Sequence, residues 1–197
     1  MKKAYLFVLG GSSTLLLSIF LFFIVPRVQM GALERAAISA QSPYTETEAR
    51  GRLAYIEYGC VYCHTQQVRD PSVGADKAFG WGRASIPSDY IYDRPHLLGT
   101  SRTGPDLSNI GSRQPSREWL HLHFFNPRLL VAWSIMPPFP FLYAEVASET
   151  SPDGRAIAIP GTDHRWIVPS EKAEDLVAYL QSLKRDRDPI PRETKHE

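Results

Sequence analysis

An uncharged apolar run opens the chain and contrasts with everything that follows it. Residues 4–25 contain no acidic or basic side chain. As a helix they would extend about 33 Å, which is enough to cross the hydrocarbon core of a bilayer. Pro26 and Arg27 close the run, which predicts a retained transmembrane anchor over residues 1–27. A cleaved signal peptide is the alternative, but the run is longer than the usual apolar core of such a peptide.

Basic residues near the apolar run indicate how it would lie in a membrane. Lys2 and Lys3 favour a cytoplasmic N-terminus, because positively charged residues concentrate on that side. Arg27 and Arg35, on the other side of the run, weaken this preference. The expected arrangement is a single pass, with the rest of the chain outside the cytoplasmic membrane.

Two amphipathic helices are predicted in the remainder of the chain. Thr45 and Glu48 have the spacing of a capping box, and the helix after them is expected to pack through Ala49, Leu53 and Ile56. Ser170 is the predicted N-cap of the second helix, whose apolar stripe consists of Ala173, Leu176, Val177, Leu180 and Leu183. Gly51 would let the two helices cross closely.

Smaller elements are predicted between these two helices. A third helix is expected to begin near Ser116. The runs 144–149 and 155–159 flank Pro152-Asp153-Gly154, a turn sequence, and predict a small β-hairpin.

Composition and charge narrow the function classes. Hydrophobic residues make up 43% and charged residues 22%, which is typical of a globular protein. The formal net charge of +1 excludes the strong basic excess of a nucleic-acid-binding protein. The 16 prolines predict a body rich in loops with long irregular connections.

Both cysteines of the chain lie in one short motif, Cys60-Val-Tyr-Cys63-His64. A thioredoxin-like redox pair would need a strand–helix context, which the surrounding sequence lacks. A zinc site would need two further ligands, and only His121 and His123 form a second tight pair. Covalent attachment of a c-type haem is favoured, because thiols at i and i+3 can bond the two vinyl groups of a porphyrin while His64 binds the iron.

A second axial ligand is expected, since an electron-transfer haem usually has both axial positions filled and methionine often accompanies histidine. Met136 lies in the proline-rich stretch 134–140, where prolines restrict their own backbone and that of the residue before them. The thioether can therefore be directed at iron with little further loss of entropy. Met136 is the predicted distal ligand, with His121 or His123 as the alternative.

The segment 102–107 supplies two further candidates. In small cytochromes c a proline carbonyl can accept a hydrogen bond from the second ring nitrogen of the proximal histidine, and Pro105 is the candidate here. Arg102 is a candidate partner for a haem propionate. An ordinary turn is the alternative interpretation of Gly104-Pro105-Asp106. Trp119 is expected near the haem edge or in the core.

Residues 43–142 resemble the mono-haem subunit FixO, also called CcoO, of C-type (cbb-type) haem–copper cytochrome c oxidases. The motifs that carry this resemblance are Pro43-Tyr44-Thr45, Gly51-Arg52, Tyr55-Ile56, Gly59-Cys60, Cys63-His64, Gln66, Tyr92-Asp93-Arg94-Pro95, residues 102–107, Ile110-Gly111, Trp119, His123, Asn126-Pro127-Arg128, Met136-Pro137 and Phe139-Pro140.

The resemblance implies a mainly α fold: one N-terminal transmembrane helix followed by a class I-like cytochrome c domain with long loop insertions. One covalently bound haem c would be attached at Cys60 and Cys63. His64 and Met136 would be its axial ligands, and Pro105 and Arg102 would line it.

The resemblance also implies partners and a place in the cell. The subunit would relay electrons from a soluble cytochrome c or a dihaem cytochrome subunit to the haem b of a catalytic haem–copper subunit. It would not catalyse oxygen reduction itself. It would be a single-pass protein of the bacterial cytoplasmic (inner) membrane, with the haem domain on the periplasmic or outer face.

Three other functions remain open at this point. The cytochrome c subunit of nitric oxide reductase shares an anchor and one haem. A free membrane-anchored shuttle cytochrome should present a charged docking ring, whereas a fixed subunit should have apolar contacts. The residues Phe124, Phe125, Trp133, Phe139, Phe141 and Leu142 are expected to be exposed and favour the fixed subunit. A haem-based sensor or peroxidase would need Met136 to be displaceable.

The predicted domain organisation follows from these features. Residues 1–27 form the anchor and 28–42 a tether. Residues 43–185 form the mono-haem cytochrome c domain, and 186–197 form a C-terminal tail.

Overall fold

The structure is a computed structural model that describes residues 3–31 and 42–186. The described residues separate into two units, one with the N-terminal helix and the turn at 87–91, the other with residues 43–86 and 92–186. Most of the predicted tether and nearly all of the predicted C-terminal tail lie outside the described residues. The four domain boundaries therefore stay a prediction.

Helix α1 (Ala4–Gly31) is long and apolar enough to span a membrane, as predicted. Its 28 residues extend about 42 Å, and a π-helical turn occupies Phe20–Ile24. Thr14 donates to the Gly10 carbonyl (2.9 Å) and Ser18 to the Thr14 carbonyl (2.8 Å). These hydroxyl groups are thus satisfied within the helix, as a hydrocarbon environment requires.

Helix α2 (Glu46–Glu57) begins with the predicted capping box. Thr45 Oγ1 accepts from the Glu48 amide (3.3 Å), and Glu48 Oε2 accepts from the Thr45 amide (2.7 Å). The predicted apolar face is wrong in part: Ile56 packs against the core, but Ala49 and Leu53 are exposed, Leu53 by 64%, while Arg52 and Tyr55 are buried. Arg52 can be buried because its guanidinium group donates to backbone carbonyl groups, which a hydrophobicity pattern does not register.

Helix α5 (Glu171–Ser182) crosses α2 at Gly51 and carries the predicted buried stripe. Ser170 Oγ accepts from the Ala173 amide (3.3 Å), which confirms the predicted N-cap. A Cβ at Gly51 would lie 1.8 Å from the Asp175 carbonyl oxygen. The two backbones are therefore in contact, and the predicted close crossing is confirmed. The stripe on α5 is buried along its length: Ala173, Leu176, Val177, Leu180 and Leu183.

Two shorter helices complete the core between α2 and α5. Helix α3 (Ile110–Arg113) is joined to the end of α5 by a hydrogen bond from the Gly111 amide to the Leu183 carbonyl (3.0 Å). Helix α4 (Arg117–Phe125) is capped by Ser116, whose Oγ accepts from the Trp119 amide (3.2 Å), as predicted. About 45% of the described residues are helical, in agreement with a mainly α fold that also contains strands.

A three-stranded antiparallel sheet replaces the predicted hairpin. The strands are β1 (Tyr143–Ala147), β2 (Ile157–Ala158) and β3 (Arg165–Pro169), in the order β1-β3-β2. The predicted pairing of the first two runs is wrong, because β3 lies between them. Ile167 of β3 is fully buried and pairs with Glu145 of β1 on one side and with Ile157 of β2 on the other. β3 is therefore the central strand, whereas the turn sequence had suggested that the first two strands pair directly with each other.

The crossing at Gly51 gives a first prediction. Replacing Gly51 by alanine should lower the free energy of unfolding by about 2 kcal/mol or more, because the added Cβ would collide with the Asp175 carbonyl and overpacking is costly. Gly154→Ala is the matched control, since a Cβ there meets no atom within 4 Å. Denaturant unfolding of the full chain in detergent measures both, and equal midpoints would contradict the expectation.

Candidate haem-binding site

The two cysteines lie on a single tight turn that follows helix α2. Gly59 reverses the chain direction with φ of 71°, a conformation that favours glycine. A 3-10 turn then spans Cys60–Tyr62, and the His64 amide donates to the Cys60 carbonyl (3.0 Å). This turn brings both thiols and the imidazole of His64 into one short, hydrogen-bonded segment.

The two thiols have different environments. Cys60 packs against the core, and burial raises the pKa of its thiol to about 12. Cys63 is exposed and lines a cavity next to His64. The two cysteines are not joined to each other by a disulfide. At neutral pH the Cys60 sulfur is therefore protonated.

The His64 ring is fixed by the segment that contains Pro105. Its Nδ1 lies 2.7 Å from the Pro105 carbonyl oxygen, and because a carbonyl can only accept, Nδ1 is the protonated nitrogen. Nε2 is left as the nitrogen that can bind a metal. Burial lowers the pKa of the imidazole, and the bond to Pro105 opposes this shift only in part. His64 is therefore neutral at physiological pH.

Gly104 lies flat against the same imidazole. A Cβ at this position would be 2.2 Å from Cε1 of His64, so the close approach requires glycine. The Gly104 amide also donates to the Cys63 carbonyl (2.9 Å). The ring is thus confined on one face by backbone and bonded at its edge by the neighbouring carbonyl.

A buried carboxylate joins the segment that contains Pro105 to the residues that follow His64. Asp106 is fully buried, and its oxygens accept from the Thr65 hydroxyl (2.5 Å), the Gln67 amide (2.8 Å) and the Ser108 amide (2.8 Å). The sequence had predicted no role for Asp106 itself, and an ordinary turn was the alternative interpretation of residues 104–106. The structure shows that it holds the residues after the histidine, a role that its position beside Pro105 could have suggested.

A cavity of about 360 Å³ lies beside the His64 imidazole and is lined by Met136 as well. A second cavity of about 90 Å³ shares His64 and Met136 with it and extends to Tyr55, Cys60, Leu176 and Leu180. The first falls in the usual size range of cofactor pockets. The structure thus brings together Cys60, Cys63, His64, Pro105 and Met136 of the predicted set.

The two histidines that were alternatives to Met136 have separate environments. His121 is fully buried away from the cavity, with Nδ1 3.1 Å from the Tyr143 hydroxyl and Nε2 3.4 Å from Glu174. His123 lines the cavity and stacks on Trp119 with ring centroids 4.6 Å apart. Burial, and then the nearby His64, lower the pKa of His123 to about 4. Met136 and His123 are therefore the candidates for a second ligand in this cavity.

Comparison with known families identifies the chain. The family model described as "Cytochrome C oxidase, mono-heme subunit/FixO" matches residues 2–159. The chain belongs to the FixO family. It is therefore a mono-haem cytochrome c subunit of a cytochrome c oxidase, and its partners include the catalytic part of that complex. No curated protein matches the chain significantly.

The cavity of this FixO-family chain fits a haem by the chemistry of its lining. Apart from the imidazoles of His64 and His123 and the thioether of Met136, it is lined mainly by apolar or small side chains and by backbone. His123 Nδ1 is buried without a hydrogen-bond partner. Across residues 3–31 and 42–186, no group of three or more His, Cys, Asp or Glu side chains is arranged to hold a metal ion, so a protein-only zinc centre is not supported there.

Arg102 is engaged outside the cavity. Its guanidinium group pairs with the buried Asp76 and donates to the Gln67 carbonyl (2.7 Å) and the Thr65 hydroxyl (3.1 Å). It also lies 5.0 Å from the centroid of the Trp81 ring. Arg102 thus connects residues 68–86, an inserted segment that includes Asp76, to the residues after His64. The contact of Arg102 with a haem propionate stays a prediction.

The large apolar side chains that are exposed at the rim of the cavity are only in part those that the sequence predicted to be exposed. Trp133 and Ile135 line the cavity and are 84% and 75% exposed. Phe141 is exposed as predicted, but Phe124 and Leu142 are buried in the core. Phe124 is buried because it lies on the inner face of α4. Its carbonyl also accepts from the Phe139 amide, and this bond holds the segment with Phe139 and Leu142 close to α4.

Burial of His121 makes the stability of the FixO-family chain depend on pH. Burial lowers the pKa of its imidazole to about 4 from 6.5, although the Glu174 carboxylate opposes the shift. The unfolded chain therefore binds this proton at a higher pH than the folded chain does. The resulting stabilisation is complete above pH 6.5 and is lost as the pH falls toward 4, by up to about 3 kcal/mol.

His121→Gln should remove this contribution to the pH dependence. The free energy of unfolding, measured at about pH 7 and about pH 5, should fall less in the variant than in the wild type. His96→Gln, which removes an exposed imidazole from the loop before Leu97, is the control. Equal decreases in the wild type and in His121→Gln would contradict the assignment.

Proposed function

We propose that this chain is the membrane-anchored electron relay of a cbb-type oxidase. It accepts electrons from cytochrome c or a dihaem cytochrome subunit and delivers them to the haem b of the catalytic haem–copper subunit. The observation that carries the proposal is the cavity beside the two thiols, which His64 and Met136 both line. Membership of the FixO family supports the assignment to an oxidase.

The proposed attachment of the cofactor uses four side chains. Cys60 and Cys63 would hold one haem c through thioether bonds, and His64 Nε2 and the Met136 sulfur would bind its iron. The bound haem supplies a one-electron redox centre. The hydrogen bond from His64 Nδ1 to Pro105 supports this assignment, because it fixes the tautomer and the ring orientation that a proximal ligand needs.

The proposed domain is a class I-like cytochrome c with an inserted sheet and long loops. Its support is the backbone contact of α2 with α5 at Gly51, because small cytochromes c cross their first and last helices in this way. The proposed boundaries are 43–185 for this domain and 1–27 for the anchor. The family match begins at residue 2 and so includes the apolar helix, which supports its retention in the mature subunit.

The chain is proposed to transfer electrons without catalysing oxygen reduction. Two protein side chains would fill both axial positions and leave none for oxygen. The haem domain is proposed to lie on the periplasmic or outer face of the inner membrane. The exposed Trp133 and Ile135 at the cavity rim favour a fixed subunit over a free shuttle, because a permanent interface buries apolar side chains beside the redox centre.

Replacing Met136 by alanine tests the distal ligand. The oxidised wild-type protein should show a thioether-to-iron absorption band, and its reduced form should not bind carbon monoxide. Met136→Ala should lose the band, have a lower reduction potential and bind carbon monoxide. His123→Ala, which alters the other candidate in the same cavity, should retain the band. If only the His123 variant changes the iron spectrum, His123 is the ligand and the proposed assignment fails.

Purification in mild detergent tests the subunit assignment. The tagged chain should co-purify with a multi-spanning oxidase subunit, and the isolated complex should consume oxygen. Trp133→Ser should weaken this association, because it removes an apolar contact at the cavity rim, while Val73→Ser, at an exposed residue of the inserted segment 68–86, should leave it intact. A chain that emerges intact, haem-loaded and alone would support the free shuttle instead.

A further inference from the structure

The methionine loop is the proline-rich stretch 134–140 that contains Met136. A side chain from outside this loop forms hydrogen bonds with the loop backbone. Arg128 Nη1 donates to the Ser134 carbonyl (2.9 Å) and to the Met136 carbonyl (3.2 Å). We propose that Arg128 is a positioning residue that keeps the Met136 thioether directed toward the haem iron. The inference rests on the proposed role of Met136 as distal ligand.

Arg128 is itself held firmly at its backbone. Asn126 ends helix α4, and its side-chain oxygen accepts from the Arg128 amide (3.2 Å). The 3-10 turn Pro127–Leu129 follows, and Pro127 is fully buried. Leu129 donates its amide to the Asn126 carbonyl (3.0 Å). The base of the arginine is therefore fixed to the end of α4, which also carries His123 and so belongs to the same wall of the cavity.

The methionine loop has few other means of attachment. Pro137, Pro138 and Pro140 have no amide hydrogen to donate. On the far side of the loop, the Phe139 amide donates to the Phe124 carbonyl (2.8 Å). On the near side, the Ser134 amide donates to the Val131 carbonyl (2.9 Å) and the Met136 amide to the Ser134 hydroxyl (3.3 Å), so these bonds join the loop only to the turn just before it. The two bonds from Arg128 thus anchor to α4 the half of the loop that leads into Met136.

The geometry of the two bonds explains why an arginine is present. One guanidinium nitrogen reaches two carbonyl groups that are two residues apart, so it fixes the backbone on both sides of Ile135. Hydrogen bonds to a charged group are stronger than neutral ones. Without them, the backbone around Met136 would keep its proline stiffness, the bond from Ser134 to Val131 and the more distant anchor at Phe139, but it would lose its connection to Arg128 on both sides of Ile135.

Arg128→Gln should therefore loosen the iron–thioether bond without unfolding the domain. The thioether-to-iron band of the oxidised protein should be lost at a lower pH than in the wild type. The apparent affinity of the reduced haem for carbon monoxide should rise by about tenfold, from the loss of about 1.4 kcal/mol of bonding to the loop. Arg165→Gln is the matched control, since it removes an equal charge from a half-exposed arginine that pairs with Glu145 across the sheet.

The outcomes separate this inference from the proposed function. Loss of the band in Met136→Ala and a weakened band in Arg128→Gln, with Arg165→Gln unchanged, would support both. A wild-type-like band and carbon monoxide response in Arg128→Gln would overturn the positioning role and leave the ligand assignment intact. A Met136→Ala variant with an unchanged spectrum would overturn both, since there would be no ligand to position.

A conservative variant covers the case in which Arg128→Gln does not accumulate as folded protein. Arg128→Lys keeps the charge, but its side chain is one bond shorter than that of arginine, so its ammonium nitrogen does not reach the position of Nη1 between the two carbonyl groups. Its band should be lost at a pH between those of the wild type and Arg128→Gln, and its thermal unfolding should match that of Arg165→Gln. A wild-type-like band in Arg128→Lys together with an unfolded Arg128→Gln would assign to Arg128 only a structural role, against the proposal.

Discussion

The backbone contact between α2 and α5 at Gly51 is the constraint on which the site depends. Because no side chain separates the helices there, α5 lies close enough for Leu176 and Leu180 to line the inner cavity together with Tyr55. The turn with Cys60 begins just after α2, so its position follows from the same contact. The crossing therefore determines where the residues that line the smaller cavity lie, and where the segment that contains both thiols and His64 begins.

A buried ionic cluster fastens the two ends of this domain. Asp93 is almost fully buried and accepts from the Tyr44 hydroxyl (2.8 Å) and from Arg185 (2.5 Å), with Arg52 Nε 3.4 Å away. These partners come from the segment before α2, from the residues after α5 and from α2 itself. A buried charge is tolerated only when its partners are present, so this cluster makes the start and the end of the domain depend on one another.

The parts of the structure that sequence reasoning predicted correctly are those governed by local rules. The capping box at Thr45, the N-caps at Ser116 and Ser170 and the stripe on α5 depend on residues within one or two turns. The approach at Gly51 was also predicted, because only the smallest residue permits it. The motif around His64 and the proline-rich segment of Met136 line the same cavity, while their roles toward a haem stay a prediction.

The parts that sequence reasoning missed depend on long-range pairing. The buried face of α2 contains Arg52, whose burial is possible because carbonyl groups 42 and 43 residues away accept its hydrogen bonds and the buried Asp93 carboxylate lies beside it. The order of the sheet depends on the central position of β3, which no turn sequence specifies. The partner of Arg102 proved to be Asp76 in the inserted segment, whereas the sequence pattern had suggested only a propionate.

The two sides of the cavity are held in physically different ways, and this bears on how the site would be tuned. The His64 side is fixed by buried groups: the Pro105 carbonyl, the backbone of Gly104 and the carboxylate of Asp106. Changes there would leave buried polar groups unsatisfied. The Met136 side is fixed by proline geometry and by the exposed Arg128, whose bonds can weaken without disturbing the core. Variation in the strength of the proposed iron–thioether bond is therefore expected to arise on the side of Met136, while the His64 side would keep the geometry of the proposed proximal ligand constant.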